Sequence, residues 1–337
     1  MTIGVAILGL GFMGRTHARA YQATAAAGLP CQLRAACTLP EPEPAAPAGN
    51  LGPPDPGPLF APGEVRLHDS PQSLAADPDI HLVSICTPTD THTALATLLL
   101  RAGKHILLEK PVALRSGDIP PLIETAAAAT RLCIPAMCMR FWPGWDWLKA
   151  RARDRSLGEL RSLTLQRLGA RPQWNTGFYH NPARTGGALF DLHIHDADIV
   201  HWLVGPPAAV TSRGHHDHLT TLYHYPSLRG PISAEGGWLD TPGFPFRMRY
   251  TAEFDHAAAD WDLARAEPTR LLLTDRAGTR PIPLPPHTGY DGEIRATLNA
   301  LTTGDTAALP TLAEALQVTR LLEAERQSLE SGREVKL

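Results

Sequence analysis

At roughly 100–200 residues per domain, a chain of 337 residues is long enough for about two domains with separate cores, which excludes a peptide or a single-motif protein. Its 31 Lys and Arg against 34 Asp and Glu leave a net charge of −3 with no block of like charge, so no nucleic-acid partner is expected. The 28 Gly and 32 Pro fall below the content of low-complexity chains, and 43% hydrophobic residues are ordinary for a folded protein.

Taken in chain order, the first 110 residues alternate short apolar runs with helical patterns. Ile3–Leu8 is predicted as a buried strand and Gly14–Ala27 as an Ala-rich helix. A second strand over Gln32–Cys37 and a helix over Ser70–Ala76 precede a third strand at Leu82–Cys86. A helix over Thr91–Ala102, closed by Gly103, leads into a strand at Ile106–Leu108. This β-α-β rhythm predicts an α/β domain with a doubly wound parallel sheet. Nine prolines between Pro40 and Pro62, with no Lys or Arg, exclude a helix there and predict an exposed loop.

From about residue 160 the grammar changes. A strand at Leu160–Arg167 and a long helix at Ala188–Leu203 are followed by strands at Val210–Arg213, Leu219–Tyr225, Ile232–Leu239 and Arg247–Phe254. A final helix over Thr311–Ser331 ends at Gly332. The pattern predicts a C-terminal α+β domain with an open, largely antiparallel sheet, and domain bounds of 1–138 and 139–337. No apolar run approaches the roughly 18 residues of a membrane helix, and the start lacks the basic segment of an export signal. All five cysteines fall in the first 138 residues without a closely spaced metal pair, so reduced thiols, a cytoplasmic location and no membrane partner are expected.

Gly9-Leu10-Gly11-Phe12-Met13-Gly14 follows a predicted strand and opens a predicted helix, the context a dinucleotide fingerprint requires. The first Gly permits the tight turn, the second admits the pyrophosphate to the backbone, and the third lets helix and strand pack closely. The phosphates then sit on the free N–H groups of the helix start, which makes Gly9, Gly11, Phe12, Met13 and Gly14 candidate cofactor-binding residues. The acidic residue that normally binds the ribose diol at the end of the second strand is replaced by Thr38. A hydroxyl suits either a diol or a 2′-phosphate. The following loop carries Glu41 and Glu43 and no cation, with Arg15 as the one nearby positive group, so NAD or NADP stays open with the balance toward NAD.

Three clusters carry candidate chemistry. Glu109-Lys110-Pro111 ends a strand where doubly wound sheets form their ligand crevice, which places Lys110 to act and Glu109 beside it; the plain alternative is a surface lysine next to a proline that ends the strand. Thr87-Pro88-Thr89-Asp90-Thr91-His92 ends another strand at the same edge, and the plain alternative for Asp90 or Thr91 is a helix N-cap. On one predicted helix, Asp191, His195 and Asp198 fall within about 60° of each other, a carboxylate–imidazole arrangement suited to moving protons or, as the plain alternative, a helical ion pair. His215-His216-Asp217-His218 reads as a solvated hairpin turn, and no metal site is expected.

Together these segments resemble the Gfo/Idh/MocA oxidoreductase family, the glucose–fructose oxidoreductase and inositol dehydrogenase group. The resemblance runs over nearly the whole chain, through Gly9–Gly14, Ile85–Pro88 with His92, Ala102–Pro111, Met139-Arg140-Phe141, Gly186–Asp198 and Ser331-Gly332-Arg333. It implies a Rossmann first domain and a second domain whose open sheet mediates homo-oligomers. It implies Lys110 as catalytic lysine, Asp191 and His195 as its partners across a cleft, and a cis Lys110-Pro111 bond. Thr87, Pro88, His92, Glu109 and Lys110 join the cofactor-binding set, and Arg140 contacts substrate. Trp174, Tyr179 and His180, just before the Gly-Gly helix, are candidate sugar contacts or domain packing. The implied activity is an NAD(P)-dependent dehydrogenase or reductase acting on a sugar, cyclitol or related polyol. An NAD-dependent glycosidase and a non-catalytic dinucleotide sensor are the alternatives. Departures are Thr38, the Pro-rich insertion, and His193 where a small residue is usual, which is expected to narrow or polarise the pocket.

Overall fold

The computed structural model describes residues 2–38, 59–61, 63–173 and 175–337; the Pro-rich stretch, apart from 59–61, and Trp174 lie outside the described residues. The chain forms two units. The first comprises Met1–Cys138, Trp174–Thr185 and Thr288–Leu316, and the second Met139–Gln173, Gly186–His287 and Gln317–Leu337.

In the first unit β1 (Ile3–Leu8), α1 (Phe12–Ala26), β2 (Cys31–Cys37), β3 (Arg66–His68), α2 (Pro71–Ala76), β4 (Leu82–Ile85), α3 (His92–Arg101), β5 (His105–Leu108), α4 (Pro120–Ala129) and β6 (Cys133–Pro135) follow in order. The six strands form one parallel sheet in the order β3-β2-β1-β4-β5-β6. β1 and β4 are buried along their whole length, as continuous apolar runs must be when helices cover both faces. The strand order reverses between β1 and β4, so the loops after these strands and after β5 border the ligand crevice of a doubly wound sheet. Ser70 caps α2 by accepting from the Ser73 N–H, and Gly103 takes φ +77° after α3. The Lys110-Pro111 bond is cis.

The second unit opens with α5 (Trp145–Asp154) and β7 (Leu160–Ala170). Two short helices, α6 (Thr176–Tyr179) and α7 (Pro182–Thr185), fold with the first unit, and the chain then continues the second through α8 (Gly187–Asp191) and α9 (Ile194–Val204). Strands β8 (Ala209–His215), β9 (His218–His224), β10 (Ile232–Leu239), β11 (Arg247–Phe254), β12 (Ala258–Asp262), β13 (Leu271–Asp275) and β14 (Gly278–Pro281) come next. After α10 (Gly289–Thr303) and α11 (Leu312–Ser331), β15 (Val335–Lys336) completes a nine-stranded sheet in the order β14-β13-β12-β11-β7-β10-β9-β8-β15. Its pairs are antiparallel except β7–β10. β11 alternates strictly, burying Met248, Tyr250, Ala252 and Phe254 and exposing the residues between them.

Two expectations are corrected. The long helix over Ala188–Leu203 is two helices, because the Ala188 carbonyl accepts from both the Leu192 N–H (2.9 Å) and the His193 N–H (2.8 Å). The second bond spans five residues, so helical phase slips between Asp191 and His195 and the single-face arithmetic does not apply. Residues 174–185 and 288–316, expected in the second domain, fold with the first unit. Arg184 is one reason, donating to Asp90 at 2.8 and 3.2 Å from α7.

Candidate functional site

The turn after β1 carries the backbone geometry its glycines imply. Gly9 holds φ +94°, and a Cβ there would meet the Cys86 carbonyl oxygen at 2.8 Å. A Cβ on Gly14 would lie 1.8 Å from the Gly9 oxygen, so helix α1 starts this close to β1 only because position 14 has no side chain. Gly11 is the N-cap, without a side-chain cap and with no acid in the first turn. The first N–H groups of α1 therefore form a cradle suited to an anion. Thr38 is exposed at the end of β2.

At the neighbouring loops His92 and Glu109, expected beside the cofactor, also make contacts within the protein. His92 is buried, its Nδ1 2.8 Å from the Pro111 oxygen and its Nε2 2.8 Å from the Thr87 oxygen. Burial holds its pKa below the ordinary value although both carbonyls and Glu109 favour the charged form. The ring thereby ties the loop after β4 to the loop after β5. Thr87 Oγ1 meets Thr91 Oγ1 at 2.6 Å, and Thr91 also donates to the Pro88 oxygen at 2.7 Å.

Glu109 turns inward. It accepts from the Lys110 N–H at 3.1 Å and lies 3.0 Å from His17 Nε2 of α1. Burial pushes its carboxyl upward, but the His17 hydrogen bond and charge, with Lys110, outweigh this and hold it below the usual range. Lys110 itself is half-buried at the start of this loop.

Sequence reasoning missed His17 and Glu293. Glu293 of α10 is buried, 4.0 Å from His17 Nε2, and neither of its oxygens has a hydrogen-bond partner among the described residues. Burial first, and then the charge of Glu109, raise its carboxyl well above the usual value. The folded state therefore holds a proton there that the unfolded chain releases above about pH 4.5. Stability should fall as pH rises from that point toward the raised value, by at most about 1.4 kcal/mol per pH unit. In urea unfolding from pH 5 to 8, Glu293→Gln should lose this slope and gain on the wild type as pH rises. Parallel stability curves would refute the assignment.

In the second unit Gly186 and Gly187 take φ +73° and +72° at the start of α8. A Cβ on Gly187 would meet Asp217 Oδ1 at 2.8 Å and the His216 oxygen at 2.9 Å. The hairpin tip between β8 and β9 thus caps α8: His216 O accepts from Leu189 N–H at 2.9 Å and Asp217 Oδ1 from Ala188 N–H at 3.3 Å. The hairpin is present as expected, with exposed His215 and His216 side chains, but its backbone and Asp217 are structural and not merely solvated. Asp191 and His195 are half-buried on either side of the slipped turn.

Arg140, expected at the substrate, is buried and donates to Asp198 through Nε (3.0 Å) and Nη2 (2.7 Å), because a guanidinium in the core needs a carboxylate. His193, expected in the pocket, is also turned into the core. Tyr179 is half-buried with its ring edge-on to Phe178, His180 is exposed, and Trp174 lies outside the described residues.

Residues 3–137 match the GFO_IDH_MocA model, described as an oxidoreductase family with an NAD-binding Rossmann fold, and residues 145–230 match the GFO/IDH/MocA C-terminal domain. The chain belongs to the Gfo/Idh/MocA oxidoreductase family. Among its Gfo/Idh/MocA relatives, the inositol 2-dehydrogenase of Rhizobium meliloti (strain 1021) is 31% identical over 213 residues, 63% of this chain and 58% of that protein. The levoglucosan dehydrogenase of Pseudarthrobacter phenanthrenivorans is 29% identical over 219 residues, 62% and 53% of the two chains. The chain spans about half the length of the curated relatives it matches. A levoglucosan dehydrogenase solved with NADH and levoglucosan shares the fold at TM-score 0.81 and 20% identity, over 100% of this chain and 99% of that one. So does a UDP-N-acetylglucosamine 3-dehydrogenase from Acidithiobacillus ferrooxidans, at TM-score 0.77 and 22% identity over 98% and 99%. Among the described residues of this Gfo/Idh/MocA chain, no helix is long and apolar enough to cross a membrane.

Proposed function

We propose that the chain is an NAD(P)-dependent oxidoreductase that moves a hydride between nicotinamide and a hydroxyl-bearing carbon of a sugar, cyclitol or related polyol. The observation that carries this is the first unit's crevice: the side-chain-free cradle of Gly9, Gly11 and Gly14 opens at the same strand ends as the Lys110 loop. Gly9, Gly11, Phe12, Met13 and Gly14 would hold the pyrophosphate, with Thr38 at the ribose and Thr87 and Pro88 bordering the nicotinamide side. Bound there, the dinucleotide supplies or accepts the hydride. Lys110 and His195 move the hydroxyl proton, and Asp191 orients them. Tyr179 and His180 contact the polyol. Relatives named for inositol and levoglucosan support the substrate class by analogy.

The protein is further read as a cytoplasmic homo-oligomer. All five cysteines are free thiols, and the outward row of β11, Arg247, Arg249, Thr251 and Glu253, offers a polar sheet face for a second copy.

The test is absorbance of the reduced nicotinamide with NAD and NADP across sugars, inositols and glycosides. Net NADH with a polyol is the expected result; glycoside cleavage without net NADH would replace the reading with a glycosidase. In calorimetric titration NAD should bind at least as tightly as NADP, because the sequence from Ala35 to Val65 has no cation for a 2′-phosphate. Thr38→Asp should widen that preference by accepting from the diol and repelling the phosphate. NADP binding about tenfold tighter, lost in Arg15→Ala, would show that Arg15 overrides the loop.

A further inference from the structure

The slipped turn between Asp191 and His195 is occupied by His193, whose ring is fully buried. Nε2 lies 2.9 Å from Glu325 Oε2 of α11 and 3.2 Å from Tyr223 Oη of β9. A Cβ on Gly236 of β10 would meet His193 Nδ1 at 2.5 Å, so the strand facing the ring tolerates nothing larger than glycine. Glu325 is also fully buried, its Oε2 accepting from Thr221 Oγ1 at 3.1 Å, and Thr221 Oγ1 meets Ser212 Oγ of β8 at 2.8 Å. Burial alone would lower the His193 pKa, but the charge and hydrogen bond of Glu325 raise it above the ordinary value.

Stability does not explain such a pair. Desolvation offsets most of the attraction between buried charges, and an apolar pair of similar volume generally holds a fold as well. A hydrogen-bonded ion pair adds direction, which apolar contact lacks. Two further buried pairs, Arg167–Asp196 and Arg140–Asp198, anchor α9 beyond the turn. His193–Glu325 anchors the turn itself, two residues from Asp191 and two from His195.

We propose that His193 and Glu325 are positioning residues, which fix the slipped turn and so set the orientation of Asp191 relative to His195. The catalytic consequence rests on the role given to those two groups under the proposed function.

The experiment compares the wild type, the double variant His193→Leu/Glu325→Leu and the conservative Glu325→Gln. The double variant exchanges the ion pair for apolar packing and should fold, with urea midpoint and NAD affinity close to wild type. Its kcat should fall about tenfold to a hundredfold with a smaller change in KM, as expected for misplaced catalytic groups. Glu325→Gln, which keeps a neutral hydrogen bond, should recover most of the loss. Amide exchange at positions 192 and 193 of the double variant should accelerate about tenfold or more. Unchanged exchange overturns the proposal, whether or not kcat falls, since the pair would then not hold the turn. Faster exchange with kcat within about twofold of wild type also overturns it. If the wild type oxidises no polyol, the hydride-transfer reading fails, and the exchange measurement alone decides whether the pair holds the turn. If the double variant does not fold, Glu325→Met, which removes the carboxylate, takes both measurements: faster exchange at 192 and 193 with a lower kcat supports the proposal, and wild-type values for either overturn it.

Discussion

Lys110→Met is expected to lower kcat by roughly 10²–10⁴, the range for removing a general acid–base group, while leaving the fold and dinucleotide affinity in place. The substitution keeps an unbranched chain of similar length and removes the ammonium. The loop around it is held by groups other than that ammonium: His92 lies within hydrogen-bond distance of the Pro111 and Thr87 carbonyls, and the Glu109 carboxylate accepts from the Lys110 backbone N–H. A loss of kcat can therefore be separated from a loss of structure by near-UV circular dichroism and NAD titration on the same sample. A variant that kept more than about a third of wild-type kcat would remove Lys110 from the proton-transfer role.

The largest stability effect is expected at Arg167–Asp196. Arg167 of β7 reaches Asp196 of α9 through Nη2 at 2.8 Å and Nε at 3.2 Å, with both side chains almost fully buried. Its guanidinium also lies 5.7 Å from the centre of the Trp145 ring. Asp196→Ala leaves that guanidinium buried without its carboxylate, and should cost about 3–5 kcal/mol. Replacing both partners, as Arg167→Met/Asp196→Leu, removes the charge along with its counter-charge and should cost much less. Urea unfolding of the single and double variants measures the difference. A single variant within about 1 kcal/mol of wild type would mean that water reaches the guanidinium, against the burial described here.

Much of both units was legible in the chain. The strands Ile3–Leu8, Ile232–Leu239 and Arg247–Phe254 lie at their predicted bounds, because apolar runs and two-residue alternation are local signals of burial. The glycine turn was legible for a similar reason: the Gly14-to-Gly9 approach involves only backbone within six residues. Sequence reading passed over α4, β6 and α10, although the chain carries start signals for both helices: α4 opens on Pro120 and Pro121, and Thr288 and Asp291 form a capping box at α10.

By itself, the sequence determined the parallel doubly wound sheet, the nucleotide turn, the alternating strands of the second sheet and the positions of Lys110, Asp191 and His195 near element ends. Tertiary structure alone decided what the buried polar groups do. Arg140 meets Asp198 across 58 residues of chain, Glu109 meets His17, and His193 meets Glu325, contacts that no local sequence pattern shows. It also decided the phase slip that separates Asp191 from His195, and the return of residues 288–316 to the first unit. The reason is physical: periodicity and backbone sterics act between near neighbours, whereas a charge taken out of water must find its counter-charge wherever the packing brings one, and that distance is not written in the local sequence.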